Sequence, residues 1–335
     1  MRADLRATAR AIAGIQLRDG SIPYYAEGPV DPWDHIEAAM ALDAAGYRCE
    51  SERAYLWLAG SQRLDGSWPS RLCGGRIEDP TADANFAAYA AAGLWHHVLA
   101  TGDESLLEEL WPTLERAVDF ALGLQAPGGE IRWSRDAAGR PWPGALLTSC
   151  SCIHLSLHCA VAAAGRLGYE RTHWELAAAR LGEAIRSRPE AFEDKSRYAM
   201  DWYYPVLGGA VRGEAARRRL LERWDEFVVV GLGCRCVSDR PWVTAAESSE
   251  LVMALDLAGL TAEAREVFDW VQRLRAPSAA YWTGITFPDG LIWPEEQPAW
   301  TAGAVVLAGA LLEGDRATNG LFTAAETAEA LETVA

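Results

Sequence analysis

Apolar residues recur every three to four positions through most of the chain, and no alternating run is long enough to announce a sheet. The spacing predicts twelve helices, over residues 2–16, 33–46, 50–61, 82–100, 103–125, 148–167, 172–188, 197–211, 213–230, 243–259, 261–274 and 298–312. Their connections alternate in length. After 46, 100, 167, 211 and 259 only a few residues intervene, usually with a Gly that ends the helix in the left-handed region. After 16, 61, 125, 188, 230 and 274 the loops are long and rich in Gly, Pro and Trp. Short turns make antiparallel helix pairs, and long loops carry function, so the implied plan is six hairpins with one functional rim.

Two internal repeats support this plan. A shift of 213 residues lays 37–57 over 250–270 with nine identities in twenty-one positions, among them Glu37/Glu250, Asp43/Asp256 and Trp57/Trp270. A helix pair that cannot bury its own face is the unit that repeats in such chains. The stretch RAYLWLAGSQRLDGSW (53–68) reappears as RAVDFALGLQAPGGEI (116–131), with weaker copies ending the first helix and following Trp270. Through Arg53, Ala54, Trp57, Leu58, Gln62, Gly66 and Trp68 it resembles the Gln-Trp repeat of squalene-hopene cyclases and related terpenoid cyclases. The hairpin rhythm extends that resemblance, shared with protein prenyltransferase β subunits, over about residues 1–315. A looser resemblance, at GDESLLEELWPTLERAVDFAL (102–122), is to the outer helices of six-hairpin glycosidases. Both imply an all-α fold, a single (α/α)6 toroid of six inner and six outer helices over 1–315, with 316–335 as a helical tail or partly disordered extension.

Charge and cysteine content narrow the setting. The 31 basic and 47 acidic residues give a net charge of −16, which argues against a nucleic-acid partner. No run of eighteen apolar residues spans a membrane, and the N-terminal stretch lacks the apolar segment of a secretory signal. Seven cysteines, an odd number, read as free thiols, so a cytoplasmic location is expected.

The residues that open the helices after long loops are the candidates for chemistry. Acids and aromatics dominate them. Asp34 and Glu37 fall on Glu247 and Glu250 in the 213-residue repeat, and their i, i+3 spacing puts each pair on one helix face. Desolvation and like charge in an apolar cavity raise a carboxyl's pKa enough to make a proton donor; alternatively, such acids only complement the helix dipole. Asp79, Asp83, Asp201 and Glu296 complete the set of candidate acids. Asp79 and Asp83 sit where the terpenoid cyclases carry their DxDD protonation motif, although here they are four apart, with Asn85 nearby. Asp83 is the foremost acid, with a helix N-cap as its alternative role.

Trp33, His35, Asn85, Trp202, Tyr203, Tyr204, Trp242, Trp293 and Trp300 are the candidate substrate-binding residues, since aromatic faces stabilise carbocations and stack on sugars. Trp57 and Trp68 read as structural wedges, and His96-His97 as cations near a helix C-terminus. Cys150, Cys152, His154, Cys234 and Cys236 are a zinc option, but their C-x-C spacing departs from the usual pattern, and buried thiols are the expected outcome. No phosphate loop, dinucleotide fingerprint or GxSxG elbow occurs, so no cofactor is expected. The leading expectation is an isoprenoid-handling enzyme of single-barrel terpenoid cyclase or prenyltransferase type. A carbohydrate-active six-hairpin enzyme with paired carboxylates is the rival, and a non-catalytic binding subunit is the third reading. The substrate is a small molecule, isoprenoid or saccharide, and the sequence names no partner subunit.

Overall fold

The computed structural model describes residues 4–324. In chain order its α-helices are α1 (Leu5–Ile15), α2 (Pro32–Ala44), α3 (Arg48–Ser61), α4 (Ala84–Thr101), α5 (Ser105–Leu122), α6 (Leu147–Arg166) and α7 (Thr172–Ser187). There follow α8 (Ala199–Leu207), α9 (Gly213–Glu222), the short α10 (Trp224–Phe227), α11 (Ala245–Leu257), α12 (Thr261–Val271), α13 (Ala299–Leu312) and α14 (Arg316–Phe322). Helices α2, α4, α6, α8, α11 and α13 pack neighbour on neighbour into a closed inner ring, α13 returning to α2. Outside it lie α1, α3, α5, α7, α9 and α12, so the molecule is the expected (α/α)6 toroid.

Sequence separates the two layers. Inner helices are apolar on all sides, as in AWTAGAVVLAGALL of α13, where nearly every residue is buried. Outer helices bury one stripe: α3 hides Ser51, Ala54, Tyr55 and Leu58, at helical spacing, and exposes the rest. Helix α6 has the length and hydropathy of a membrane span, yet most of it is buried inside the toroid, as befits an inner helix.

The Gln-Trp motif fastens α1 to α3, α3 to α5 and α5 to α7. Gln62 Nε2 donates to Gly66 O at 3.0 Å and to Thr113 O of α5 at 2.9 Å, while Arg116 Nη2 donates to Gln62 Oε1 at 2.6 Å. The same three bonds recur with Gln16, Gly20, Glu50 and Arg53, and again with Gln125, Gly129, Ala177 and Arg180. At each site the glycine has positive φ and lies against an arginine carbonyl; a Cβ on Gly66 would sit 2.1 Å from Arg116 O. In the fourth copy Gln272 instead accepts from Tyr281 Oη at 2.6 Å. Trp68 is buried beside the staple, its Nε1 donating to Leu58 O at 3.0 Å.

Several expectations are corrected. Helix 197–211 stops at Leu207, before Gly208-Gly209, and helix 213–230 breaks at Arg223, because Val228–Val229 joins a sheet. Strands were not foreseen, since they are only two to four residues long and too short to show a period of two. The strands β1 (Arg71–Cys73) and β2 (Arg76–Asp79) form a hairpin, and β3 (Ala82–Asp83) pairs with β4 (Ser134–Arg135). The strands β5 (Val228–Val229), β6 (Gly233–Arg235), β7 (Trp242–Thr244) and β8 (Gly284–Thr286) form an antiparallel sheet in that order. They tie the long loops together where the inner helices begin. His96 and His97 are buried within the fold rather than exposed at a helix end, and His97 Nδ1 lies 2.9 Å from Asp43 Oδ1.

At the opposite end α14 packs on α4, and its Leu321 and Phe322 project into the ring. Residues 325–335, part of the proposed C-terminal extension, lie outside the described residues.

Gly66→Ala is expected to lower stability by about 2 kcal/mol, because it combines a positive φ with a backbone clash. Gly60→Ala, on α3 with open space around it, is expected to be neutral or slightly stabilising. Chemical denaturation of the two variants checks the staple, and equal midpoints would remove it as a constraint.

Candidate active site

Asp31 caps α2 by accepting the Asp34 N–H at 2.9 Å, and the side chain of Asp34 hydrogen-bonds back to Asp31. Asp83 caps α4, accepting from Asn85 N at 2.7 Å and Phe86 N at 3.2 Å. The three acids line a cleft of about 320 Å³ on the long-loop rim, with Tyr24, Arg71 and Trp133 among its walls. Burial lifts all three. Asp34 is held well above the carboxylate range by burial, then by Asp31, Glu37 and Glu250; Asp31 is raised by burial; Asp83 is pushed by burial up to about 7. The cleft therefore retains protons at neutral pH. Arg71 faces Asp31 but pairs at 2.8 Å with Glu78, so it leaves the cluster largely uncompensated.

The matching acids of the repeat arrive on α11. Glu247 accepts from Thr244 Oγ1, and the Cys236 thiol faces it. Tyr24 joins the two halves: its hydroxyl, pushed by burial up to about 12, faces Trp300, Asp34, Glu296 and Glu247. Tyr24 lies in an irregular loop, and only its position before Asp31 hinted at a place on the rim.

One turn deeper, Glu37 and Glu250 meet. Glu250 accepts from Tyr203 Oη and, at 2.5 Å, from Tyr204 Oη; burial pushes it up to about 8 against the downward pull of these two bonds. Glu37 is held well above its ordinary value by burial, then by Glu250 and Asp31. Between them and Leu321 and Phe322 of α14 lies a cavity of about 20 Å³, room for about one water.

Other candidates stand apart from this cluster or serve the fold. Asp79 is exposed, caps Thr81 and has a lowered pKa from that bond, so it only edges the cleft. Asp201 accepts from Thr148 Oγ1 at 2.7 Å on α8 and is raised by burial. His35 is buried, bonded to Ile22 N at 3.0 Å and Ala54 O at 3.0 Å, and burial lowers it to about 4. Trp202 stacks on Phe227 in the outer core. Trp33 meets Tyr89 and Tyr204 edge on beneath the cleft, and buried Asn85 leaves its Oδ1 unpaired. Trp242 and Trp293 form an edge-on pair with Trp293 exposed; Trp133 and Trp142 form a tilted pair, with Trp142 exposed.

The zinc option does not assemble. Cys150 bonds the backbone of Ile131, His154 bonds Gly208 O and His158, and Cys234 and Cys236 lie on the β6 side against Glu247. Among the described residues no group of three or more His, Cys, Asp or Glu could hold a metal ion.

No protein-family model matches the chain. It is 48% identical over 327 residues to the MMP endo-(1,4)-3-O-methyl-alpha-D-mannosidase of Mycolicibacterium hassiacum, covering 98% of this chain and 91% of that protein. Among solved structures, a wild-type glycosidase superposes with a TM-score of 0.74 at 16% identity, over 92% of this chain and 96% of that one. A D-mannose isomerase does so with a TM-score of 0.67 at 11% identity, over 92% and 96%. A sugar epimerase from a ruminal bacterium gives 0.69 at 12%, again over 92% and 96%. At these identities the solved structures speak for the fold alone. The expectation of an isoprenoid-handling cyclase or prenyltransferase is overturned by the mannosidase relative, and the looser glycosidase resemblance of 102–122 is the one supported.

Glu250 and Asp83 leave a mark on stability. Their folded-state pKa values lie above the ordinary 4.5 and 3.8, so the stability they contribute is complete below those values. It is lost as pH rises through about 7 for Asp83 and about 8 for Glu250. The melting temperature is expected to fall between pH 5 and pH 9, and Glu250→Gln to flatten the fall. Parallel melting curves for the two proteins across that range would contradict the assignment.

Proposed function

The chain belongs to the family of the MMP endo-(1,4)-3-O-methyl-alpha-D-mannosidase, and from that premise we propose that it is a glycoside hydrolase cutting inside α-(1,4)-linked, 3-O-methylated mannose chains. The observation that carries the chemistry is that Asp34 and Glu247, from equivalent positions of the repeat, both face the Tyr24 hydroxyl, Tyr24 and Asp34 lining the cleft and Glu247 lying beyond its walls. In this reading Asp34, kept protonated by burial and its acidic neighbours, gives its proton to the glycosidic oxygen as the bond to the anomeric carbon breaks. Asp31 orients that proton through their shared hydrogen bond. Glu247, fixed by Thr244, takes the proton of the attacking water, or itself bonds the anomeric carbon in an ester that a water, giving its proton to the Asp34 carboxylate, then hydrolyses; the two routes give opposite product anomers. None of the six histidines lines the cleft among the described residues, so acid and base work falls to carboxyls.

Trp133 and Phe86 offer ring faces to a methylated sugar, whose apolar surface exceeds that of plain mannose. The free thiols suit the reducing cytoplasm, where we place the enzyme.

Asp34→Asn and Glu247→Gln are each expected to lower kcat on methylated α-(1,4)-mannose oligosaccharides by about 10³-fold, beyond loss of a single hydrogen bond, with melting temperature kept. Proton NMR of the first product reads the anomer. A folded Asp34→Asn enzyme with full turnover would sink the role of Asp34. No cleavage by the unaltered protein, together with saturable binding of the same oligosaccharides, would favour a binding subunit instead.

A further inference from the structure

A second groove, of about 640 Å³, lies between the end of α7, the turn after α8 and one side of α9. It shares no lining residue with the catalytic cleft. Arg186, Arg212, Arg218 and Arg219 line it, and Glu222 is the acid among the described lining residues. In a chain of net charge −16 this is a local reversal of sign.

Main-chain carbonyls hold three of the guanidinium groups. Arg186 Nη1 donates to Ala210 O at 3.3 Å, Arg212 Nε to Gly209 O at 2.8 Å, and Arg219 to Trp202 O at 2.7 Å and Asp201 O at 2.8 Å. A carbonyl orients a guanidinium by accepting its N–H. Among the described residues Glu222 is 3.8 Å from Arg218 and Glu183 is 3.4 Å from Arg186, both largely exposed, and the mostly buried Asp201 faces Arg219. Exposed pairs are weak and readily exchanged. The positive field also reaches inward. On α6, burial lowers His154 to about 4, with Arg186 and Arg212 pushing the same way; burial lowers His158 to about 3, helped by His154 and Arg212.

We propose that this groove binds a phosphate-bearing small molecule, clasped by the half-exposed forks of Arg186 and Arg218. A phosphate group has the charge and the several oxygens needed to engage more than one planar fork at once. The groove volume falls within the range of small-molecule sites and exceeds that of a bare ion, so the phosphate is expected to carry a further group.

The test is a calorimetric and thermal-shift titration of the full chain with inorganic phosphate and with a hexose monophosphate, against sodium chloride at equal ionic strength. A saturable rise in melting temperature is expected, and Arg186→Ala with Arg218→Ala should weaken binding by at least about tenfold. Arg140→Ala, an exposed arginine elsewhere, should leave it unchanged. If the double variant melts early, Arg218→Glu alone, on the exposed side of α9, is read by the same titration. Tighter binding of the hexose monophosphate would support a sugar phosphate as the ligand, and equal binding would support recognition of the phosphate group alone. A shift no larger than that in sodium chloride, or one kept in the arginine variants, overturns the proposal.

Discussion

The glutamine staple between successive outer helices is the constraint on which the rest of the molecule rests. A toroid of helix pairs has no long-range strand ladder to fix the height of one pair against the next, and apolar packing alone tolerates sliding. Gln16, Gln62 and Gln125 remove that freedom, because each amide bridges its own loop to a carbonyl of the following outer helix. The arginine that returns to the glutamine oxygen and the glycine beneath its carbonyl leave one register available. With outer helices locked in height, the inner helices begin at one level, and their capping acids share one rim. Where the staple decays, at Gln272, the four-stranded sheet β5 to β8 takes over the task of holding the loops.

That rim concentrates carboxyl groups at helix N-termini. Asp31 and Asp83 are ordinary caps by geometry, yet their pKa values rise, because desolvation outweighs the backbone N–H groups that favour the charged form. Each acid added to the cluster makes the next harder to ionise. Asp34 thus owes its raised pKa first to burial and then to Asp31, which caps its helix, Glu37 on the same helix and Glu250 on α11. Packing that destabilises the charged forms is a cost to the fold, and it suits the proton donation proposed for Asp34.

Architecture was legible in the sequence because it is written in repeated, local signals. Helix spacing, alternating loop lengths and the Gln-Trp copies led to the toroid, and the 213-residue repeat led to Asp34, Glu37, Glu247 and Glu250, which the structure brings together. The chemistry was misread for a physical reason. The Gln62, Gly66 and Trp68 motif is a fastening between helices, so it travels with the scaffold and says nothing of the substrate. What depends on irregular backbone was missed: Tyr24 has no periodic neighbour, and the two- and three-residue strands β3 and β7, which lead into the helices of Asp83 and Glu247, fall below any pattern. Trp202, prominent in MDWYYP, proved to be core because its partner Phe227 is twenty-five residues away and invisible to local reading.

The closed end of the ring bears on how a substrate is met. Leu321 and Phe322 of α14 fill the barrel below Glu37 and Glu250, leaving space for about one water, so no chain threads through the centre. In the proposed hydrolase a saccharide chain would lie across the rim instead. There the Trp133–Trp142 pair and the Trp242–Trp293 pair belong to different loops, the first between α5 and α6, the second joining β7 to the segment before α13. Rings carried on separate loops offer stacking surfaces to more than one sugar of a bound chain, and an open cleft does not demand a chain end. A blind barrel with a broad aromatic rim is therefore the geometry expected of an enzyme that cuts within a saccharide, and it follows from the same staple and plug that make the fold.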